Sequence, residues 1–299
     1  MAATALKRPD LPCGPELQAF ARAAARLLIE QRPRAVGARV VRRRPGVGIQ
    51  HLDHREYIAG DEVRHIDWRQ TARRRRPIIR RFESESVSEW TLLLDASSSM
   101  TVHGAAKWHA ALGAAAAMSY ALLELGHRVG LLAFGNGVIA QCPQGRGQPH
   151  YAAIVRVLGS LRPANTGERS DLGACVSRLH EAASVFAISD FLADDGMCQH
   201  LRVLLQRCTA LHALQISDPD ETSLPFHGDV DLVDVETGTR MPTRADERVR
   251  ASVKAQRAAL TGRLRTFCTQ TGIAFTDWDV RAPWQATLLR HLIEARCIC

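Results

Sequence analysis

Apolar and polar positions in this chain come in blocks rather than alternating residue by residue. From Trp90 onward, short runs apolar throughout trade places with longer stretches of helical period. WTLLLD (90–95), RVGLLAF (128–134) and SVFAIS (184–189) are three such runs, and Leu211–Ile216 reads as a further strand. Each of the three has strand length and is apolar on both faces, the pattern of a strand covered by helices above and below. Between them the spacing predicts helices over Ala105–Leu125, His150–Leu161, Asp171–Ala183 and Met197–Thr209. The first is apolar nearly all round, so it is expected to be covered on most sides. Asn136-Gly137 is a hairpin signal, which predicts that Val138–Cys142 pairs back antiparallel. Farther on, Asp229–Val235 and Ile273–Trp278 read as strands, and Arg244–Thr271 and Trp284–Arg296 as helices. This alternation implies an α/β fold of Rossmann-like type, a mostly parallel sheet with helices on both faces.

The first ninety residues differ. Glu16–Glu30 places Leu17, Phe20, Ala21, Ala24, Leu27 and Leu28 on one helical face, and Pro33 ends the helix. Pro45-Gly46-Val47-Gly48 breaks the chain, and residues 49–89 are polar and charged, with short candidate strands at Ile78-Ile79 and Arg81-Phe82. The division expected is an N-terminal helix and basic linker over 1–45, an Arg-rich extension over 46–87, and the α/β domain over 88–299.

Charge sharpens this division. The net charge is +8, and 36 of the 39 basic residues are Arg; the lysines are Lys7, Lys107 and Lys254. Between Val36 and Glu83 there are 13 Arg against 6 Asp and Glu, a local +7, so one segment carries the basic excess. Its acidic residues are interleaved and its aromatics few, which suits internal pairing or an acidic protein surface better than nucleic acid. Asp61, Arg64, Asp67 and Trp68 in this segment read as an ion-pair cluster beneath the Trp ring. The eight cysteines form no CxxC pair, so reduced thiols are expected. No run is long and apolar enough to span a membrane, and the N-terminus carries no apolar signal core, so a cytoplasmic location is expected.

Candidate chemistry sits where an open α/β sheet binds ligands, at the carboxyl ends of its strands. The first core strand runs into Asp95-Ala96-Ser97-Ser98-Ser99, and SVFAIS runs into Asp190. Asn165-Thr166-Gly167-Glu168-Arg169-Ser170-Asp171 opens a helix between them. Two carboxylates and several hydroxyls, with no His or Cys, make a hard oxygen set suited to Mg²⁺ or Mn²⁺. These loops are expected to be exposed. The competing reading makes the same residues turn and N-cap groups. No phosphate-binding loop and no GxSxG elbow is present, and no general base stands out.

These residues carry a resemblance. Asp95-x-Ser97-x-Ser99 resembles the metal-ion-dependent adhesion site of von Willebrand factor type A domains. The run Arg55-Glu56-Tyr57 through Gly60-Asp61, Arg64, Ile66-Asp67-Trp68 and Ala72-Arg73, together with LLLDASSSM and Ile188-Ser189-Asp190-Phe191, resembles the family called domain of unknown function fifty-eight, over roughly residues 46–295. The resemblance implies a type A domain whose metal is held by Asp95, Ser97, Ser99, Ser170 and Asp190. Ser170 stands where the family pattern carries Thr, with Thr166 the alternative, and Asp190 would hold a coordinated water. It also implies a non-enzymatic, metal-dependent protein-binding adaptor, working with a MoxR-type AAA+ ATPase on a client protein. The alternatives are a nucleic-acid-binding protein using the Arg-rich segment and a metal-assisted hydrolase.

Overall fold

The structure is a computed structural model that describes residues 11–29, 50–57, 66–74, 76–83, 88–102, 104–163, 170–179, 183–192, 196–223, 228–233 and 240–298. The chain divides into two compact units, residues 35–87 and the remainder. α1 (Pro15–Ile29) opens the larger unit; β1 (Gln50–Glu56), α2 (Trp68–Arg74) and β2 (Ile78–Glu83) make up the smaller one. The larger unit continues through β3 (Glu89–Asp95), α3 (Ala106–Glu124), β4 (Arg128–Phe134), β5 (Val138–Gly145), α4 (Gly147–Ser160) and β6 (Ser184–Ser189). It closes with α5 (Gly196–Arg207), β7 (Leu211–Ser217), α6 (Asp220–Ser223), β8 (Gly228–Val233), β9 (Arg240–Ala245), α7 (Glu247–Thr271), β10 (Ala274–Asp279) and α8 (Trp284–Ile298).

Six strands form the central sheet in the order β10-β7-β6-β3-β4-β5. All neighbours run parallel except the β4–β5 hairpin at one edge, as Asn136-Gly137 foretold. Side chains of each strand point alternately to the two faces. Leu92 and Leu94 of β3 enter one core with Val129, Leu131, Phe186 and Ile188; Leu93 enters the other with Leu132, Phe134, Val185 and Ala187. α3, α4 and α8 cover the first face, α5 and α7 the second. α3 is buried along most of its length because α1 packs on it from the side away from the sheet. A 15-residue helix is marginal alone, so α1 is held by burying Leu17, Phe20, Ala24 and Leu28, with Phe20 meeting Trp284 edge-on at 5.2 Å.

Three local expectations are corrected. Asp171–Ala183 is not an α-helix: a 3-10 helix covers Leu172–Arg178, because the Asp171 carboxylate accepts from the Gly173 N–H at 2.8 Å and tightens the first turn. The strand expected over Asp229–Val235 is β8, which lies outside the main sheet and pairs with β9 in a separate hairpin. α7 starts at Glu247 rather than Arg244, since Asp246 caps it through the Val249 N–H at 2.8 Å. Gly272 closes it at φ 74°, a conformation that favours glycine.

In the smaller unit, β1 and β2 pair antiparallel, and the two short strands expected there are the single strand β2. Asp67 is buried and caps α2, accepting from the N–H groups of Arg69 and Gln70 at 3.0 and 3.1 Å. Trp68 is 67% exposed. Asp61 and Arg64 lie outside the described residues.

Beneath α8, two histidines are enclosed among Trp90 and Phe186. His212 Nδ1 and His291 Nε2 are 3.0 Å apart, and His291 Nδ1 lies 3.0 Å from the Thr276 hydroxyl. Burial lowers His212 to about 4 and holds His291 well below its ordinary value, helped by His212 and Arg290. Their unfolded-state value is about 6.5. Below that pH the unfolded chain takes up protons that the folded chain refuses, so the neutral pair favours folding above about 6.5 and this advantage is lost as pH falls toward 4. Denaturant titrations should show stability falling by up to about 2.7 kcal/mol per pH unit from these two sites, and His291→Gln should flatten that slope.

Candidate functional site

β3 is the first strand of the sheet, with β4 on one side and β6 on the other. The helices that follow β3 and β6 lie on opposite faces, so a crevice opens at the carboxyl ends of these two strands. Asp95 ends β3, and Ser189 with Asp190 ends β6. The loop preceding the 3-10 helix is tied to the end of β4, the Asp171 N–H donating to the Gly135 carbonyl at 2.7 Å, and this carries Ser170 to the same place.

Asp95 is the centre of the constellation. Its Oδ1 accepts from the Ser97 N–H at 2.9 Å, and its Oδ2 from the Ser189 hydroxyl at 2.6 Å. The Ser170 hydroxyl reaches both carboxylate oxygens at 3.4 Å, longer than a well-formed hydrogen bond. Ser97 Oγ and Ser99 Oγ lie 2.9 Å apart. Ser97 occupies the cap position of the 3-10 turn over Ser98–Thr101, yet its side chain caps nothing. The capping duty in the second loop likewise falls on Asp171, leaving the Ser170 hydroxyl to the site. The turn-and-cap reading therefore accounts for neither Ser97 nor Ser170.

Four of the five proposed ligands, Asp95, Ser97, Ser99 and Ser170, are thus brought together. Thr166 lies outside the described residues. The expectation of exposed loops is wrong: Asp95 is 1% exposed, Ser97, Ser170 and Asp190 are buried, and Ser99 is half-buried. The crevice is roofed because Met100 and Phe191, flanking the two loops, turn into the core. Phe191 does so at φ 49°, a left-handed backbone that a bulky residue rarely adopts. Its N–H donates to Ser189 Oγ at 2.9 Å, which fixes that hydroxyl toward Asp95. Strain held beside a cluster of polar groups is a mark of functional sites.

Asp190 does something the sequence reading did not foresee. Its Oδ2 accepts from Lys107 Nζ at 2.8 Å, and Lys107, on the first turn of α3, is 1% exposed. Lys107 also pairs with Glu221 of α6, and Glu221 pairs in turn with Arg257 of α7. The Asp190 carbonyl accepts from Gln215 Nε2 at 2.9 Å. Lys107, Ser189 and Glu221 are the residues that sequence reasoning missed. One signal was available: Lys107 is a lone lysine in a helix otherwise apolar all round, in a chain that writes nearly every positive charge as Arg.

The oxygen atoms around Asp95 suit a small hard cation: one carboxylate with the hydroxyls of Ser97, Ser99 and Ser170 converging on it. Among the described residues no group of three or more His, Cys, Asp or Glu is placed to hold a metal ion, so the set at Asp95 rests on one carboxylate and hydroxyls. Burial, then the charge of Asp190, raises Asp95 to about 6, against the opposing hydrogen bonds from Ser189 and Ser97. Among the described residues Asp95 has no cationic partner, while Asp190 has Lys107.

The residues so placed fall within a stretch matched by the family of proteins of unknown function DUF58, residues 53–261. The chain belongs to the DUF58 family. Uncharacterized proteins of Mycobacterium bovis and Mycobacterium tuberculosis are 30% identical over 263 residues, covering 84% of this chain and 81% of theirs. An uncharacterized protein of Mycobacterium avium is 26% identical over 166 residues, 53% of this chain and 95% of its own. Among solved structures, a proximal thread matrix protein of the mussel byssus overlaps 44% of this DUF58 chain and 38% of its own, at 15% identity and a TM-score of 0.34. No helix among the described residues is long and apolar enough to cross a membrane.

The raised Asp95 gives a signed expectation for the metal-free protein. Above about pH 6 its folded carboxylate is ionised at a cost that the unfolded chain does not bear. Below that pH the folded state takes up a proton and the cost declines, vanishing only below the unfolded value of about 3.9. Asp95→Asn should therefore stabilise the protein in EDTA at pH 8, by an amount on the order of 2 kcal/mol. The gain should fall to about half by pH 5 and to nothing below about pH 4, as read from urea unfolding across that range.

Proposed function

We propose that this chain is a divalent-metal-dependent protein-binding adaptor rather than an enzyme, with a von Willebrand factor type A-like domain whose metal site is built on Asp95. The observation that carries this reading is a buried carboxylate surrounded by serine hydroxyls, uncapped and convergent, at the carboxyl ends of the central strands. Asp95 would hold the ion, directly or through water, with Ser97, Ser99 and Ser170 as hydroxyl ligands. Asp190 stands beside Asp95, its charge met by Lys107, and would hold a coordinated water. A bound Mg²⁺ or Mn²⁺ supplies an electrophilic coordination position that takes a carboxylate oxygen from another protein.

Recognition suits this set better than catalysis. The hydroxyl ligands are weak bases, and Asp95, Asp190, Lys107 and Glu221 are all engaged with one another or with serine groups. The smaller unit adds a second surface. α2 exposes Arg69, Arg73 and Arg74 beside Trp68, a basic face for an acidic protein partner. The partner proposed from the family resemblance is a MoxR-type AAA+ ATPase, with a client protein at the other surface. Two modest contacts on one chain reinforce each other through effective concentration.

Wild-type protein should bind Mn²⁺ in calorimetric titration. Ser97→Ala combined with Ser99→Ala should weaken that binding by about tenfold or more, the scale that losing even the supporting partners of a metal ligand carries. Unchanged affinity in the double variant would remove the ligand set. Capture of the ATPase from cell extract should drop when EDTA is added, and the same extract should contain no phosphatase or nuclease turnover attributable to the purified chain.

A further inference from the structure

Lys107 is the least expected charge in the molecule. It is enclosed by α3, β6 and α6, and its partners are two buried carboxylates, Asp190 at 2.8 Å and Glu221. A buried ammonium is costly unless paired on every side. This one is retained within the first turn of a helix rich in buried alanine and leucine, and next to the carboxylate pair at the strand ends. A compact ammonium on a flexible stem can serve two carboxylates from different elements, a task for which the wide planar fork of Arg is poorly shaped.

The position of Lys107 divides the charge at the strand ends unequally. Asp190 shares the Lys107 ammonium with Glu221, whereas the partners of Asp95 among the described residues are hydroxyls and an amide. Two free carboxylates would neutralise a divalent ion completely and hold it tightly. With Asp190 already satisfied, only Asp95 remains to meet the ion, and positive charge is left over.

We propose that Lys107 is the residue that sets the charge of this centre: by compensating Asp190 it weakens metal binding in the free protein and reserves the loaded site for an acidic side chain of a partner protein. This rests on the metal-dependent reading above. The acidic group and the ion then bind cooperatively, each raising the affinity of the other by the same factor. Lys107 acts through Asp190 and is a positioning residue, without contact to the ligand group. Glu221 modulates the effect. Anchored to Arg257, it draws part of the Lys107 charge away from Asp190.

The test uses the full chain, with Mn²⁺ as the metal and acetate as the carboxylate probe, against chloride at matched ionic strength. Affinities are read by calorimetry and by the paramagnetic resonance of free Mn²⁺, after thermal melts confirm folding. In wild type, acetate should tighten Mn²⁺ binding beyond the interaction of the two ions in buffer. Lys107→Met should bind Mn²⁺ about tenfold more tightly or better, as removal of one nearby positive charge in a water-poor site requires, and should lose the acetate effect. Glu221→Gln, nearly isosteric, should move the other way, binding Mn²⁺ several-fold more weakly while keeping the acetate effect. Damage to the fold weakens binding, so a gain in Lys107→Met separates a charge-setting role from a merely structural one. Equal or weaker Mn²⁺ binding by folded Lys107→Met, or an acetate effect that persists in it, overturns the proposal while leaving the metal centre standing. If Lys107→Met does not fold, Glu221→Gln decides, and unchanged or tighter binding there overturns it. Absence of Mn²⁺ binding by wild type overturns the metal reading itself and this inference with it.

Discussion

Two carboxylates end neighbouring strands inside this protein, and a single buried ammonium pairs with only one of them. Asp95 and Asp190 come together because parallel strands β3 and β6 are adjacent and end at the same level. Mutual repulsion and burial both disfavour leaving the pair ionised. Lys107 relieves Asp190, and serine hydroxyls with one backbone amide ease but do not cancel the charge on Asp95. Much of the local structure follows from that imbalance: the left-handed Phe191 that aims Ser189, the cap given up by Ser97, and the attachment of the Ser170 loop to Gly135.

The rest of the larger unit makes this arrangement rigid. Leu92, Leu93 and Leu94 are fully enclosed between helices on both faces, so the end of β3 cannot shift without disturbing two cores. α3 carries Lys107 at its start and is clamped between the sheet and α1, which fixes where the ammonium can reach. The link from Lys107 through Glu221 to Arg257 extends the same charge network to α6 and α7. Elsewhere the cysteines are quiet. Burial raises Cys175, Cys208 and Cys268 to about 12, leaving thiols that do not ionise at neutral pH.

The order of the polar residues in this site has a simple physical logic. Short hydroxyl side chains directly after a strand can face a carboxylate at the strand end without a long, entropically costly reach. A hard-cation site made this way is closed by whatever anion a partner brings, which ties the proposed metal centre to recognition. The hairpin β8–β9, inserted between α6 and α7 and separate from the main sheet, shows that additions to this architecture are tolerated on the connections.

Local sequence was sufficient for what depends on local pattern. Apolar runs marked β3, β4 and β6, because a strand covered on both faces has no polar side to show. Asn136-Gly137 marked the β4–β5 hairpin, and strand ends rich in Asp and Ser marked where ligands could gather. Asp95, Ser97, Ser99 and Ser170 were legible for that reason. The shorter 3-10 turn after Asp171 and the pairing of β8 with β9 were not, since one depends on a side-chain cap and the other on a partner strand written later in the chain. Exposure of the site also misled: loop composition is polar whether a loop faces water or a buried carboxylate. Lys107 is the clearest case of a property decided only in three dimensions. Position 107 lies 83 residues from Asp190 and farther still from Glu221, and no periodicity relates them. Only the folding of α3 over the crevice between β3 and β6 brings one ammonium to two carboxylates, because the cost of burying each charge alone is removed by burying them together.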